Sequence, residues 1–372
     1  MAVVEPMRVP LFRAVEASEP ALAVGLEQAL LRVIRSGRFI LGDEVAGFEC
    51  SLAEYVGARH AVGVSSGTDA LVCALLALGV GAGDEVVTTP FTFVATVEAV
   101  LRVGARPVFV DVELDRGQID AERVESALTA RTRAVLPVHL FGHPALLGEL
   151  PVPVVEDAAQ ALGAKAGERA VGTLGKVACF SFFPTKTLGG LGDAGALVTQ
   201  DEALAERVRR LRQHGARSKH EYVELGGNYR IDALQAACLR VKLPYLEAWL
   251  GERRAIAEAY SAELAGMAEL RLPATLEGTE PAWAHYVVRV LGGAERRDAL
   301  VRYLMERGVE TAIYYPTPLH LQPVFAHLGY RRGDFPVAER WAREALALPL
   351  FPGLRAEERA RVVDGVHSFF QR

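Results

Sequence analysis

The sequence predicts an α/β protein: a mostly parallel central sheet in a large domain, followed by a smaller C-terminal α+β domain. Three observations carry that expectation. Between residues 60 and 199 short apolar, β-prone runs alternate with stretches of helical period, the pattern of βαβ units. Several of these runs end directly in polar or glycine-containing motifs, which suits strands that bind a ligand at the carboxyl edge of an open sheet. From about residue 245 a long helical stretch is followed by strands and helices in mixed order. The division expected is an irregular arm over 1–20, a large domain over 21–245 and a small domain over 246–372.

Composition sets limits on function. With 372 residues, 51% of them hydrophobic, the chain can bury a large core and build two domains. A net charge of −5 gives no pull toward nucleic acid. No uninterrupted apolar run reaches membrane-spanning length, and the first residues lack the basic stretch and apolar segment of a secretory leader. Cys50, Cys73, Cys179 and Cys238 form no C-x-x-C pair and lie among apolar residues. Buried, reduced thiols and a cytoplasmic location are therefore expected, with no metal site.

Taken in order, the arm carries Pro6, Pro10 and Pro20. Residues 21–34 have helical periodicity, Ser36-Gly-Arg-Phe-Ile-Leu-Gly42 is turn-rich, and Asp43 is placed to cap a second helix running to about Val56. A strand from His60 leads through Ser65-Ser-Gly67 into a helix with Thr68 or Asp69 near its N-cap. Strands are expected at 84–88, 106–110 and 134–140, and a helix over 92–103. Residues 141–152, with two prolines and two glycines, leave little room for a crossover helix. An amphipathic helix over 201–214 precedes a polar loop over 215–230. A helix over 231–249 is broken near Pro244, where a long helix over 247–264 leads into the small domain. There, strands are expected at 283–290 and 309–314 and helices over 296–307 and 335–346, with a proline-stiffened loop, Tyr314-Tyr-Pro-Thr-Pro-Leu-His320, between them.

Three stretches carry chemistry. Lys186 follows an apolar strand over 177–183 that Pro184 stops, and glycines at 189, 190, 192 and 195 permit tight turns before a strand resumes at 196–199. A lysine at such a strand end is partly desolvated, which lowers its pKa and favours the neutral amine a Schiff base needs. Taken alone, it is equally a surface lysine in a glycine-rich hairpin. Asp157 closes another apolar strand, 29 residues upstream. A carboxylate there can pair with a protonated pyridine nitrogen. The third stretch, Ser66-Gly-Thr68, opens a helix whose free N–H groups can cradle a phosphate, although an ordinary capped turn has the same appearance.

In this order the motifs resemble the DegT/DnrJ/EryC1/StrS family of sugar aminotransferases. The resemblance covers nearly the whole chain and rests on Ser66-Gly-Thr-Asp-Ala-Leu71, Pro90-Phe-Thr-Phe93-Val-Ala-Thr, Pro107-Val-Phe-Val-Asp111, Glu156-Asp-Ala-Ala-Gln160, Phe180-Ser-Phe-Phe-Pro-Thr-Lys186 and Gly227-Asn-Tyr-Arg-Ile-Asp-Ala-Leu-Gln-Ala-Ala237. It implies the three-layer fold of pyridoxal 5'-phosphate-dependent transferases. It also implies Lys186 as the Schiff-base lysine and proton carrier, Asp157 as partner of the ring nitrogen, Gln160 on the ring hydroxyl and Phe93 stacked on the ring. Ser66, Gly67, Thr68 and Ser181 are implied at the phosphate, with Asn228 reaching it from a second subunit of a homodimer with shared sites. Substrate contacts are implied for Phe183, Arg217, Lys219, Arg230, Tyr314 and His320. The implied reaction moves an amino group from an amino acid, glutamate, to a nucleotide-linked keto sugar, with the C-terminal loop closest to members that act at C3. Phe183 and Thr187 stand where the family often has tyrosine and asparagine. Rival readings are a C4 or cyclitol aminotransferase, a sugar dehydratase, whose relatives replace the lysine by histidine, and a non-catalytic sensor.

Overall fold

The computed structural model describes residues 7–17 and 19–371. Among the described residues, seven strands build the main sheet: β1 (His60–Val64), β2 (Glu85–Thr88), β3 (Arg106–Phe109), β4 (Thr132–Val135), β5 (Val155–Asp157), β6 (Val177–Ser181) and β7 (Gly195–Thr199). Their order is β1-β7-β6-β5 in one ladder and β4-β2-β3 in another. Parallel bridges at Val135–Val154 and Val138–Asp157 join the two. Strand β7 is antiparallel to both neighbours, and the remaining pairs are parallel, so the mostly parallel sheet is as expected.

Three layers follow from the alternation of side chains along each strand. Ala61, Ala178, Phe180, Ala196 and Val198 enter one core with α1 (Pro20–Ser36), α2 (Asp43–Val56) and α6 (Ala233–Lys242). Their neighbours in sequence, Val62, Val177, Cys179 and Leu197, enter a second core under α3 (Gly67–Ala77), α4 (Val94–Arg102) and α5 (Glu202–Leu211). Helix α3, almost wholly apolar, is buried on nearly every side.

Past α6, Pro244 sits in the 3-10 turn Leu243–Tyr245, after which α7 (Leu246–Glu263) begins. The proposed domain boundary falls at this turn. A three-stranded antiparallel sheet follows, in spatial order β10 (Leu270–Arg271), β11 (Tyr286–Val290), β12 (Ala345–Leu348); β8 (Ala216–Ser218) and β9 (Glu221–Tyr222) form a separate hairpin ahead of α6. Helices α8 (Ala294–Glu306) and α10 (Ala356–Phe370) add Leu300, Leu304, Val362 and Val366 to its core, while α9 (Pro336–Glu344) lies against the large part. A shared cluster of Phe91, Phe109 and Phe141 with Val287, Phe335 and Trp341 ties the two parts together.

Several local expectations are corrected. Ser66, not Thr68 or Asp69, caps α3, its Oγ accepting from the Asp69 N–H at 3.1 Å, because Gly67 is already helical. Gly42, at φ +82°, precedes α2, and Asp43 is its first residue rather than its cap. The polar loop over 215–230 contains the hairpin β8–β9. No strand forms over 309–314, because its residues pair with two different elements: Val309 with Val9 and Ala312 with Ala347. The helix expected over 335–346 stops at Glu344, since Ala345 onward joins the sheet, and α10 has no counterpart among the expected elements. Cys50 is exposed on α2, unlike the other three cysteines; all four are free thiols. The described part of the arm is irregular apart from a 3-10 turn at Val15–Ala17, yet it is anchored: Val9 is buried, exchanges backbone hydrogen bonds with Gly308 and Glu310, and Arg13 pairs with Glu358 at 2.6 Å. Residues 1–6 of the expected arm lie outside the described residues. Among the described residues no helix is long and apolar enough to cross a membrane, and no cluster of His, Cys, Asp and Glu suits a metal ion.

Candidate active site

The carboxyl ends of β5 and β6 and the starts of α3 and α4 converge on a cleft of about 490 Å³. It brings together Ser66, Gly67, Thr68, Phe93, Asp157, Gln160, Ser181, Phe183, Lys186 and Tyr314, all expected from sequence. Thr92, Thr96, Asp193, His285 and Tyr315 also line it.

The lysine segment is built by strand alternation. Ser181 and Phe183 face the cleft, while Phe182 between them turns into the core, edge-on to Phe48 at 5.4 Å. The ladder continues one residue past β6 through the Phe182 N–H on Ala194 O, then the chain folds back with the Lys186 N–H on Phe183 O and the Gly190 N–H on Phe182 O. Gly189 is required in this turn, since a Cβ there would lie 2.2 Å from the Pro184 carbonyl oxygen. Burial pushes the Lys186 ammonium below the ordinary lysine range, and the nearby negative charge of Asp157 only partly offsets this.

Asp157 forms the cleft floor and is 5% exposed. Its Oδ2 accepts from Thr96 Oγ1 at 2.7 Å and its Oδ1 from the Ala159 N–H at 3.2 Å. Burial nonetheless raises its pKa, outweighing these two hydrogen bonds. Its neighbour Glu156 points the other way, as strand alternation requires, and is held by His139 and by the N–H groups of Gly172, Leu174 and Gly175. Gln160 has a fixed orientation: its Oε1 accepts from the Phe141 N–H at 2.6 Å, which turns its amide nitrogen toward the cleft and Tyr315. His285, beside Tyr314 with ring centroids 4.5 Å apart, is kept neutral, as burial takes its pKa down to about 3.

At the start of α3, close packing makes a cradle. A Cβ on Gly67 would come 2.7 Å from Ser181 Cβ, and one on Gly195 would meet Ser66 and Gly67 backbone at 2.4–2.7 Å. Two glycines thus let β6 and β7 pack directly against the helix start, whose first N–H groups are unpaired by the helix itself.

Other expected residues lie elsewhere. His320 does not line the cleft: it is buried beside Phe335, with Nε2 3.2 Å from Glu339 Oε1, because the loop following Pro316 turns inward. Arg217, Lys219, Asn228 and Arg230 are outside the same protomer's cleft, the first two on the exposed hairpin region, where Arg217 pairs with Glu221. Of the two departures from the family pattern, Phe183 faces the cleft whereas Thr187 is buried, its hydroxyl 3.4 Å from Leu162 O. Thr96 was within reach of sequence, four residues from Thr92 in a motif already singled out; His285 carries no such signal.

A mostly parallel three-layer sheet with a buried aspartate, a desolvated lysine and a helix-start cradle at its carboxyl edge defines a pyridoxal-phosphate-dependent transferase. The comparisons with known proteins narrow that class. The chain belongs to the DegT/DnrJ/EryC1/StrS aminotransferase family, whose model matches residues 22–367, and it is a pyridoxal-phosphate-dependent aminotransferase. It is 45% identical to a dTDP-3-amino-3,4,6-trideoxy-alpha-D-glucose transaminase from Streptomyces venezuelae, over 99% of this chain and 98% of that protein. It is 44% identical to a Geobacillus stearothermophilus protein named a pleiotropic regulatory protein, over 98% and 99% of the two chains. The crystal structure of S. venezuelae DesV in complex with a ketimine intermediate superposes with a TM-score of 0.93 at 44% identity, covering 98% of this chain and 99% of that one.

The residues present fit the cofactor. The buried Asp157 carboxylate, whose Oδ1 accepts only from the Ala159 N–H among the described residues, suits a ring N–H; the start of α3, where Ser66, Gly67 and Thr68 line the cleft, suits a phosphate; and the amide nitrogen of Gln160 is directed toward the cleft.

Proposed function

We propose that the protein transfers an amino group from L-glutamate to the C3 keto group of a nucleoside-diphosphate-linked sugar, as a cytoplasmic homodimer whose chains share each site. The observation that carries the amine transfer is the presence in one cleft of a buried carboxylate, Asp157, and a desolvated lysine, Lys186. Pyridoxal phosphate, when bound, supplies an aldehyde that takes up the amino group and a ring that withdraws electrons from the carbon losing its proton. Asp157 holds the proton on the ring nitrogen. Lys186, biased toward its neutral amine, takes the donor Cα proton and returns it on the other side of the transfer. Gln160 donates to the ring hydroxyl oxygen, Phe93 covers one face of the ring, and Ser66, Gly67, Thr68 and Ser181 hold the phosphate together with Asn228 of the partner subunit.

Support for the acceptor comes from charge and from the relatives. Among the described residues lining the cleft, Lys186 is the only cation. A diphosphate therefore needs positive groups from beyond this lining, and the partner subunit's Arg217, Lys219 and Arg230 are suited to supply them. Leu225, 94% exposed next to that hairpin, supports a subunit contact there. The name of the Streptomyces relative puts the amino group at C3. Phe183 and Tyr314 then face the sugar, and His320 acts from beneath the loop rather than touching it.

The deciding experiment is the reverse reaction, with 3-amino and 4-amino sugar nucleotides offered alongside 2-oxoglutarate. Oxidation of the 3-amino compound is expected. Oxidation of the 4-amino compound alone would overturn the choice of C3, and inertness of both would turn the reading toward cyclitol acceptors.

A further inference from the structure

We propose that Thr96, backed by Thr92, is a positioning residue that fixes the Asp157 carboxylate for the cofactor ring nitrogen and sets how strongly it accepts. This rests on the role given to Asp157 above.

The geometry is a chain of two hydroxyls ending on the carboxylate. Thr96 Oγ1 donates to Asp157 Oδ2 at 2.7 Å, and Thr92 Oγ1 lies 2.9 Å from Thr96 Oγ1. Both threonines are buried. A hydroxyl has one proton to give. Thr96 commits its proton to the carboxylate, so Thr92 must donate to Thr96, and each bond polarises the next toward Asp157. Among the described residues no other side chain donates to Asp157: its second oxygen has only the Ala159 N–H, at 3.2 Å.

The charged and titratable groups facing Asp157 do not replace this donor. Lys186 and His139 act on it only through space, and Tyr315 and Cys179 are neighbours whose own ionisation it opposes. His139 is occupied, with Nδ1 accepting from the Ala145 N–H and Nε2 paired to Glu156. Thr96 is thus the side chain through which the protein favours the carboxylate anion by direct contact.

The element explains the rigidity. Thr92 and Thr96 sit four residues apart across the N-cap of α4, Phe93, an exposed residue that lines the cleft. One turn therefore sets both the surface over the cleft and the hydroxyl at its floor. β-Branching restricts χ1 of both threonines, so neither hydroxyl swings away easily.

Thr96→Val keeps the shape and removes the donor, whereas Thr96→Ser keeps the donor. Two quantities are read: the pH profile of the glutamate half-reaction by stopped-flow absorbance, and the pH dependence of pyridoxal phosphate Kd for cofactor-free protein by fluorescence. Losing a donor to an anion raises its pKa, so Thr96→Val should move the acid limb of both curves to higher pH. The half-reaction should slow on the order of tenfold, as expected for a hydrogen bond to a charged group. Thr96→Ser should track the wild type, and Thr92→Val should shift both limbs the same way by less. Curves for Thr96→Val that superimpose on the wild type would overturn the proposal, as would a Thr96→Ser variant as impaired as the valine. If Thr96→Val does not fold, Thr92→Val decides, and an unshifted limb overturns it. Asp157→Asn separates the two levels. An inert Asp157→Asn beside a wild-type-like Thr96→Val removes only the role of Thr96, whereas a fully active Asp157→Asn removes the reading of Asp157 and this proposal with it.

Discussion

At the scale of single residues, the site keeps two groups in surroundings that disfavour their charged forms and so cost stability. Asp157 is buried, and its pKa is raised above the ordinary 3.8. The folded chain then binds that proton more tightly than the unfolded chain, so this group's contribution falls as pH rises from 3.8 through the raised value. Lys186 has the opposite linkage: its folded pKa lies below 10.5, so its penalty is relieved as pH rises through that window. The expected consequence is that cofactor-free Asp157→Asn unfolds at a higher temperature than the wild type at pH 7.5, with the gap closing on acidification below 3.8. Thermal unfolding of both proteins across pH checks this, and an equal or lower midpoint at pH 7.5 would count against a strained carboxylate. The same variant should still bind pyridoxal phosphate while losing the half-reaction with glutamate. Lys186→Ala should leave no residue for borohydride to join to the cofactor. In the wild type, peptide mapping after reduction should find the label on the Lys186 peptide.

At the scale of elements, the cradle depends on how closely β7 approaches the start of α3. An added Cβ at Gly195 would meet carbonyl and amide atoms of Ser66 and Gly67, which cannot rotate away as a side chain end can. Gly195→Ala should therefore destabilise the fold by about 1–3 kcal/mol, the usual cost of overpacking, and weaken cofactor binding as well. Gly251, within α7, provides the contrast: nothing lies within 4 Å of a Cβ built there. Gly251→Ala should stabilise the protein by about 0.5–1 kcal/mol through helix propensity. Denaturant titration of the two variants reads both signs, and a Gly195→Ala protein of wild-type stability would show that the helix start can retreat.

At the scale of the whole molecule, the cleft of one protomer supplies the chemistry of amine transfer but almost no positive charge for an anionic acceptor. The proposed dimer resolves this by bringing Asn228 and the basic hairpin region of each chain to the other's cleft. Mixing inactive Lys186→Ala and Asn228→Ala chains should then restore part of the activity, because a hybrid dimer contains one site with neither lesion. Full activity from a monomer, established by light scattering, would refute the shared site.

Much of this molecule is legible in the sequence because its signals are local. The apolar runs over 177–183 and 196–199, the proline that stops the first before Lys186 and the apolar run ending at Asp157 act over a few residues, so they give the strands, the strand-end lysine and the strand-end carboxylate directly. Family resemblance extends this to Ser66, Gly67, Thr68, Ser181 and Gln160, all of which line the cleft. What only the tertiary structure decides are contacts between distant segments. His320 follows a loop motif that reads as substrate-facing, yet the packing of Phe335 and Glu339 against it turns it inward. No strand forms over 309–314, because Val309 is drawn to the arm and Ala312 to β12. His285 and Tyr315 line the cleft from the C-terminal part, which the aromatic cluster around Phe141 and Trp341 packs against the large part. Hydrogen-bond direction and burial depend on which distant atoms fill the remaining space, and that is fixed only when the two cores close on each other.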